Sequence, residues 1–119
     1  MLNDIRKIGK STLIALYGLR FACADRSFRL EVQWGIPIFT AIGWYLWPLS
    51  SEELRSLVGA YLLILAFELM NTALECTIEK VHGEARDPLI GKAKDIASAA
   101  VFVAFVNAWC VVASLFLAH

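Results

Sequence analysis

The sequence predicts an all-α membrane protein, an N-terminal amphipathic surface helix followed by three transmembrane helices, and three observations carry that prediction. Two runs, 32–51 and 96–118, contain no charged residue, and each reaches the ~20 apolar residues a bilayer crossing needs. A third, 56–75, is mostly Leu, Ala, Ile and Phe, with Glu68 as its one charge before Glu75. Overall the chain of 119 residues is 59% hydrophobic, with a mean hydropathy of +0.62. A soluble bundle needs polar stripes at helical spacing, and 101–106 shows none. Length allows a single membrane-embedded domain over 1–119. Eleven basic residues balance eleven acidic ones, so the basic footprint of a nucleic-acid binder is missing, and the apolar content excludes disorder. Cys23, Cys76 and Cys110 are odd in number and widely spaced, which suggests neither disulfides nor a thiolate zinc site; they read as inert core thiols.

The first element, 3–29, combines basic residues with Ile5, Ile8, Leu16 and Leu19 at helical spacing, which suits a helix lying in the headgroup plane. It imitates a signal peptide through Ala22-Cys23-Ala24, but Arg20 cuts the apolar run short. Gly9-Lys10-Ser11-Thr12 imitates a phosphate loop, yet Asp4 stands where its first glycine belongs. In the first span Pro37 falls early, where a kink is tolerated. The third span repeats small residues, Ala93, Ala97, Ala100, Ala104 and Ala108, at or near four-residue spacing, which permits close helix packing. Ten of the eleven Lys and Arg residues lie before the first span or between 80 and 95, while the turn at 49–55 holds only Arg55. The positive-inside rule then puts the N-terminus and the 80–95 connection in the cytoplasm and His119 outside.

Glu68 is the most informative residue, because an ionisable group in a spanning helix is costly and is by default functional. With Asn71, Thr72, Glu75 and Glu79 it forms one helical stripe toward the cytoplasmic end, and Glu68 and Glu75 are about 10 Å apart in rise. Such a stripe can also glue helices together, but three carboxylates exceed what gluing requires. A second polar cluster, Gly91, Lys92, Lys94, Asp95 and Ser98, opens the third span. Carboxylates hold Mg²⁺ together with phosphate oxygens, and lysine neutralises a phosphoryl group in transfer, so the two clusters suit phosphotransfer at the inner face. Three thin helices cannot enclose a nucleotide alone, which points to an oligomer with shared sites.

The octet Glu68-Leu69-Met70-Asn71-Thr72-Ala73-Leu74-Glu75, followed by the Lys92-to-Val101 segment that contains Lys94-Asp95, resembles the paired signature of the prokaryotic integral-membrane diacylglycerol kinases, which include the undecaprenol kinases. That resemblance runs from Gly18 onward and implies a bacterial inner-membrane homotrimer whose active sites are shared between neighbours. It implies transfer of the ATP γ-phosphoryl group, with Mg²⁺, to a lipid hydroxyl, giving phosphatidate from diacylglycerol. By the same resemblance Glu68 is the general base and Glu75 a magnesium ligand. Asp25 becomes the second metal ligand where the family usually has glutamate, and Glu31 a supporting acid. Asn71, Lys94, Asp95, Glu79, Gly91 and Lys7 take nucleotide or phosphate positions, and Ser98 supports the acceptor. Asp87-Pro88 stands where a histidine is common in the family, and His82 reads as a loop histidine.

The competing classes are an inert membrane assembly and a transporter or channel whose carboxylates bind ions; neither moves phosphate from ATP to lipid. Undecaprenol is the rival acceptor. The charge asymmetry yields a direct expectation. A reporter fused after His119 behaves as external and one inserted in the 80–95 connection as cytoplasmic; the reverse pattern separates the carboxylates from ATP and ends the kinase reading.

Overall fold

A computed structural model describes residues 1–82 and 88–119, apart from the side chains of Ser27, Val81 and His82. The described residues form four helices and no strand: α1 (Leu2–Ala22), α2 (Arg26–Tyr45), α3 (Ser51–His82) and α4 (Pro88–Ala118). All-helical architecture is as expected, and the last helix ends at Ala118 as expected, but the other boundaries move, several for a local cause.

The surface helix ends at Ala22 rather than near residue 29. Ala24 N–H donates to the Phe21 carbonyl at 3.1 Å and Asp25 N–H to the Ala22 carbonyl at 2.9 Å, a tight turn that closes α1. Asp25 then caps α2, its Oδ1 accepting the Phe28 N–H at 3.3 Å. Arg26 and Arg29 therefore belong to α2. At its far end α2 stops at Tyr45 instead of running to residue 51, because Pro48 lacks an N–H and biases Trp47 away from helical geometry; the Trp47–Pro48 bond is cis.

Next, α3 begins five residues before its expected span. Ser50 and Glu53 form a capping box, Ser50 N–H donating to Glu53 Oε1 at 3.2 Å and Glu53 N–H to Ser50 Oγ at 3.1 Å. Helix α4 starts eight residues early at Pro88, whose fixed φ suits a first helical turn. Gly91, Lys92, Lys94 and Asp95 consequently lie on a helix and not in a loop.

Two helices are long and apolar enough to cross a membrane, over Ser51–Lys80 and Pro88–Ala118, with mean hydropathies of 1.8 and 2.3. Only 28% and 22% of those stretches are buried within the chain, unlike the core helices of a soluble protein. By that measure α2 does not qualify, against the expectation of three equivalent spans. Arg26, Arg29, Glu31 and Gln33 fill its first turns, leaving about 18 Å of apolar helix where the hydrocarbon core needs ~30 Å.

The core is a pair of small clusters along α3. Ala60 and Ile64 meet Ala104 and Ala108 of α4, with Phe39 of α2 packed beside them. Leu57 meets Leu46 and Leu115 nearer the α2–α3 turn, where His119 Nε2 lies 2.6 Å from Glu53 Oε2 and ties the end of the chain to the start of α3. The alanine repeat of α4 is thus its face toward α3. Helix α2 lies along α3 through Phe28, Gly35, Phe39 and Leu46, an i, i+7, i+11, i+18 register with one side inward.

The molecule measures 51 × 46 × 22 Å. Packed helix axes lie 8–10 Å apart, so three of them cannot span 46 Å. Helix α1 supplies that width by running out sideways, with Ala22 its one buried residue. Its last turns, Ala15, Gly18, Leu19 and Phe21, border a groove of about 600 Å³ against Leu69, Thr72, Ala73 and Cys76 of α3. Contrary to expectation the three cysteines are free thiols on the surface of the chain. In a helix whose outer face meets lipid or another helix, an apolar thiol gains little from an interior position.

The α3–α4 contact generates a prediction. Ala104 is 1% exposed, so Ala104→Leu overpacks the seam and lowers stability by about 1–3 kcal/mol. Val103→Leu, on the outward face, leaves it unchanged; detergent-solubilised unfolding midpoints compare the two.

Candidate active site

The polar stripe of α3 has a gradient of burial. Glu68 is 7% and Thr72 9% exposed, Asn71 and Glu75 are half-buried, and Glu79 is exposed. Burial comes from the neighbours: α2 lies over one side and the end of α1 over another, the side at Thr72. Asn71 Nδ2 donates to Glu75 Oε1 at a long 3.5 Å, one turn away, and Asn71 Oδ1 is buried without a hydrogen-bond partner. A buried acceptor left unpaired is costly and marks a place where a donor or cation fits.

Helix α2 brings two more carboxylates to the same end. Asp25 stands at its N-cap and Glu31, half-buried, two turns further on. Because α2 and α3 run antiparallel, Asp25 and Glu31 lie at the same end as Glu68 and Glu75, so the fold gathers four of the residues singled out in the sequence into one field of negative charge. Like charges in a low-dielectric setting repel strongly, and a cation relieves that repulsion.

These residues suit Mg²⁺. Carboxylate and amide oxygens are the hard donors it selects, and it takes one or two carboxylates with substrate phosphates rather than a full protein cage. Among the described residues no three His, Cys, Asp or Glu groups converge into a metal site.

The second cluster lies on the surface of the chain. Gly91, Lys94, Asp95 and Ser98 are all exposed. With Ala93, Ala97, Ala100 and Ala104 turned toward α3, a period of 3.6 puts Gly91, Asp95 and Ser98 on the opposite face and Lys94 on the flank. Lys7 is exposed on α1, well before the end that meets α3. Asp87 lies outside the described residues, as does the side chain of His82.

Two contributors escaped sequence reasoning. Tyr61, seven residues before Glu68, donates its hydroxyl to the Glu31 carbonyl at 3.1 Å. Gly35, packed beneath it, was the available signal, since an isolated glycine inside a helical pattern usually has a packing reason. Asp25 was singled out through the resemblance as a metal ligand, and its helix-capping role was missed although it directly precedes the helix.

Residues 13–116 match the family described as prokaryotic diacylglycerol kinase. The chain is 31% identical over 99 residues to the diacylglycerol kinase of Escherichia coli (strain K12), covering 79% of this chain and 78% of that one. To the diacylglycerol kinase of Haemophilus influenzae it is 38% identical over 98 residues, with 79% and 78% covered. The diacylglycerol kinase of Pseudomonas aeruginosa gives 38% over 103 residues, 86% and 81%.

The cap at Asp25 can be tested apart from any chemistry. Asp25→Ala removes the acceptor for the Phe28 N–H and lowers stability by about 1 kcal/mol, whereas Asp25→Asn keeps the cap and stays within a few tenths. Equal unfolding midpoints for the two variants contradict this role.

Proposed function

Since this chain belongs to the prokaryotic diacylglycerol kinase family, we propose that its buried α3 carboxylates and the start of α2 form the phosphotransfer site. The protein is a membrane-associated lipid kinase that uses ATP and phosphorylates an alcohol group, with diacylglycerol as acceptor and phosphatidate as product. The observation that carries the site is Glu68, a carboxylate buried in an apolar helix beside Glu75, Glu31 and Asp25.

In this reading Glu68 accepts the proton of the acceptor hydroxyl. The O–H bond breaks as the oxygen attacks the γ-phosphorus, the bond to the bridging oxygen of ADP opens, and ADP departs with that electron pair. Asp25 and Glu75 would hold Mg²⁺, which when bound neutralises phosphate charge. Asn71 orients Glu75 by its hydrogen bond, and Glu31 supports the network from α2. Lys94 neutralises the phosphoryl group, while Asp95, Gly91, Glu79 and Lys7 contact the nucleotide and Ser98 the acceptor.

The assembly we propose is a homotrimer with sites shared between neighbours, because α4 turns Gly91, Asp95 and Ser98 away from its own α3. Helix α2 crosses the membrane as the third span, with Leu46, Trp47 and Leu49 extending its apolar length beyond the helix end. Helix α1 lies in the headgroup plane, and the site faces the cytoplasm in a bacterial inner membrane. The whole of 1–119 acts as one domain.

Transfer of labelled phosphate from ATP, measured on diacylglycerol beside undecaprenol, tests the acceptor; label on undecaprenol alone overturns it. Glu68→Gln preserves shape and removes the basic oxygen, so turnover falls by roughly 10² or more while ATP still binds. Near-normal turnover would make Glu68 a packing residue. Asp25→Asn and Glu75→Gln each raise the magnesium required or abolish activity, and an unchanged magnesium titration contradicts their role.

A further inference from the structure

Tyr61 is fixed to α2 by two contacts one helical turn apart. Its hydroxyl donates to the Glu31 carbonyl at 3.1 Å, and its ring lies so close to Gly35 that a Cβ there would sit 2.5 Å from Cε1 and 2.7 Å from the hydroxyl oxygen. Gly35 has no left-handed conformation to support, so what it provides is room. Phe39, one further turn along α2, packs against the same ring, with centroids 4.8 Å apart and planes at 31°. Three consecutive turns of α2 thus grip one side chain of α3.

The Glu31 carbonyl lies within a helix and already serves the ladder; its second lone pair takes the phenol. A hydroxyl bonded there fixes α2 both along its axis and about it. Phenylalanine would fill the same volume and fix neither, since an apolar ring slides along an apolar seam. From Glu31 the chain runs as unbroken helix back to the cap at Asp25, about 9 Å away, and from Tyr61 it runs unbroken to Glu68, about 10 Å away. The five-residue connection makes α2 and α3 antiparallel, so both arms lead from the Tyr61 contact to the same end of the molecule.

We propose that Tyr61 is a positioning residue of the phosphotransfer site, setting the spacing between the α2 carboxylates Asp25 and Glu31 and the α3 carboxylates Glu68 and Glu75 through its bond to the Glu31 carbonyl. This rests on the reading of those carboxylates given above. A spacing error of a fraction of an ångström suffices to weaken cation binding shared between two helices, because divalent ions tolerate little variation in ligand distance.

The test uses the full chain in diacylglycerol-containing micelles, with Tyr61→Phe as the main variant. The magnesium concentration for half-maximal activity rises about tenfold and turnover falls, with KM for diacylglycerol unchanged. A readout independent of turnover is Mn²⁺ binding, followed by its electron paramagnetic resonance signal in the presence of a non-hydrolysable ATP analogue, and it weakens by the same factor. The unfolding midpoint moves by no more than about 5 °C, the scale of one hydrogen bond. Gly35→Ala, which forces the ring away, shifts both titrations in the same direction and further; if it does not fold, Tyr61→Phe still decides. Tyr61→Phe indistinguishable from the parent in both metal titrations, while Asp25→Asn and Glu75→Gln shift them, overturns the inference and leaves the site intact. If Asp25→Asn and Glu75→Gln also leave both titrations unchanged, the carboxylate reading itself fails and this inference with it.

Discussion

A carboxylate buried in a helix that is apolar across the depth of a bilayer is the constraint around which this structure is arranged. An acidic residue at the centre of a spanning helix costs about 2.5–3.5 kcal/mol to insert, and packing alone does not recover that. Glu68 is 7% exposed in such a helix. Its surroundings are polar on one stripe only: Thr72 and Asn71 follow it at the next turn, whereas Glu31 and Asp25 of α2 add like charge that a bound cation relieves. The seams elsewhere on α3 are built of alanine, leucine, isoleucine and phenylalanine. The polar stripe therefore stands at one end of the bundle and the dry packing at the other, which keeps the four carboxylates together and the rest of the bundle stable.

That division explains what could be read from the sequence. Charge-free runs and the spacing of Glu68, Asn71, Thr72, Glu75 and Glu79 are properties of single helices, visible as periodicity, and the alanine repeat of α4 marks its inward face for the same reason. Helix ends were less legible, because they are set by individual hydrogen bonds. Asp25 closes the turn after one helix and starts the next, although basic residues, Arg20 and Arg26, stand on both sides of it. The Ser50–Glu53 capping box was there to be read as a Ser-x-x-Glu pattern, but it sits inside a stretch whose hydropathy draws attention to residue 56 onward. The cysteines show the limit of a rule drawn from soluble proteins: apolar character predicts burial only where the alternative is water.

Contacts between helices were the least legible. Nothing in the spacing of Tyr61 or Gly35 links two residues 26 apart, and the pair makes sense only when α2 lies on α3. A glycine within a helix costs about 1 kcal/mol relative to alanine, so its presence midway along α2 asks for a close neighbour without saying which one.

The same geometry bears on the proposed assembly. Helix α4 must present alanines to α3 in order to approach it closely, and that choice fixes the direction of every other residue on α4. Asp95 and Ser98 follow Ala93 and Ala97 by two residues and one, so they point away from the α3 carboxylates whatever rotamers they adopt. Rotating α4 to aim them inward would bury charge in the dry seam and pull Ala104 and Ala108 out of it. In the proposed assembly, a nucleotide whose phosphates engage both the acidic groups of α3 and the basic turn of α4 would sit where the α4 of one copy faces the α3 of another. Close packing within a chain and sharing of the proposed site between chains are then two sides of one helix orientation.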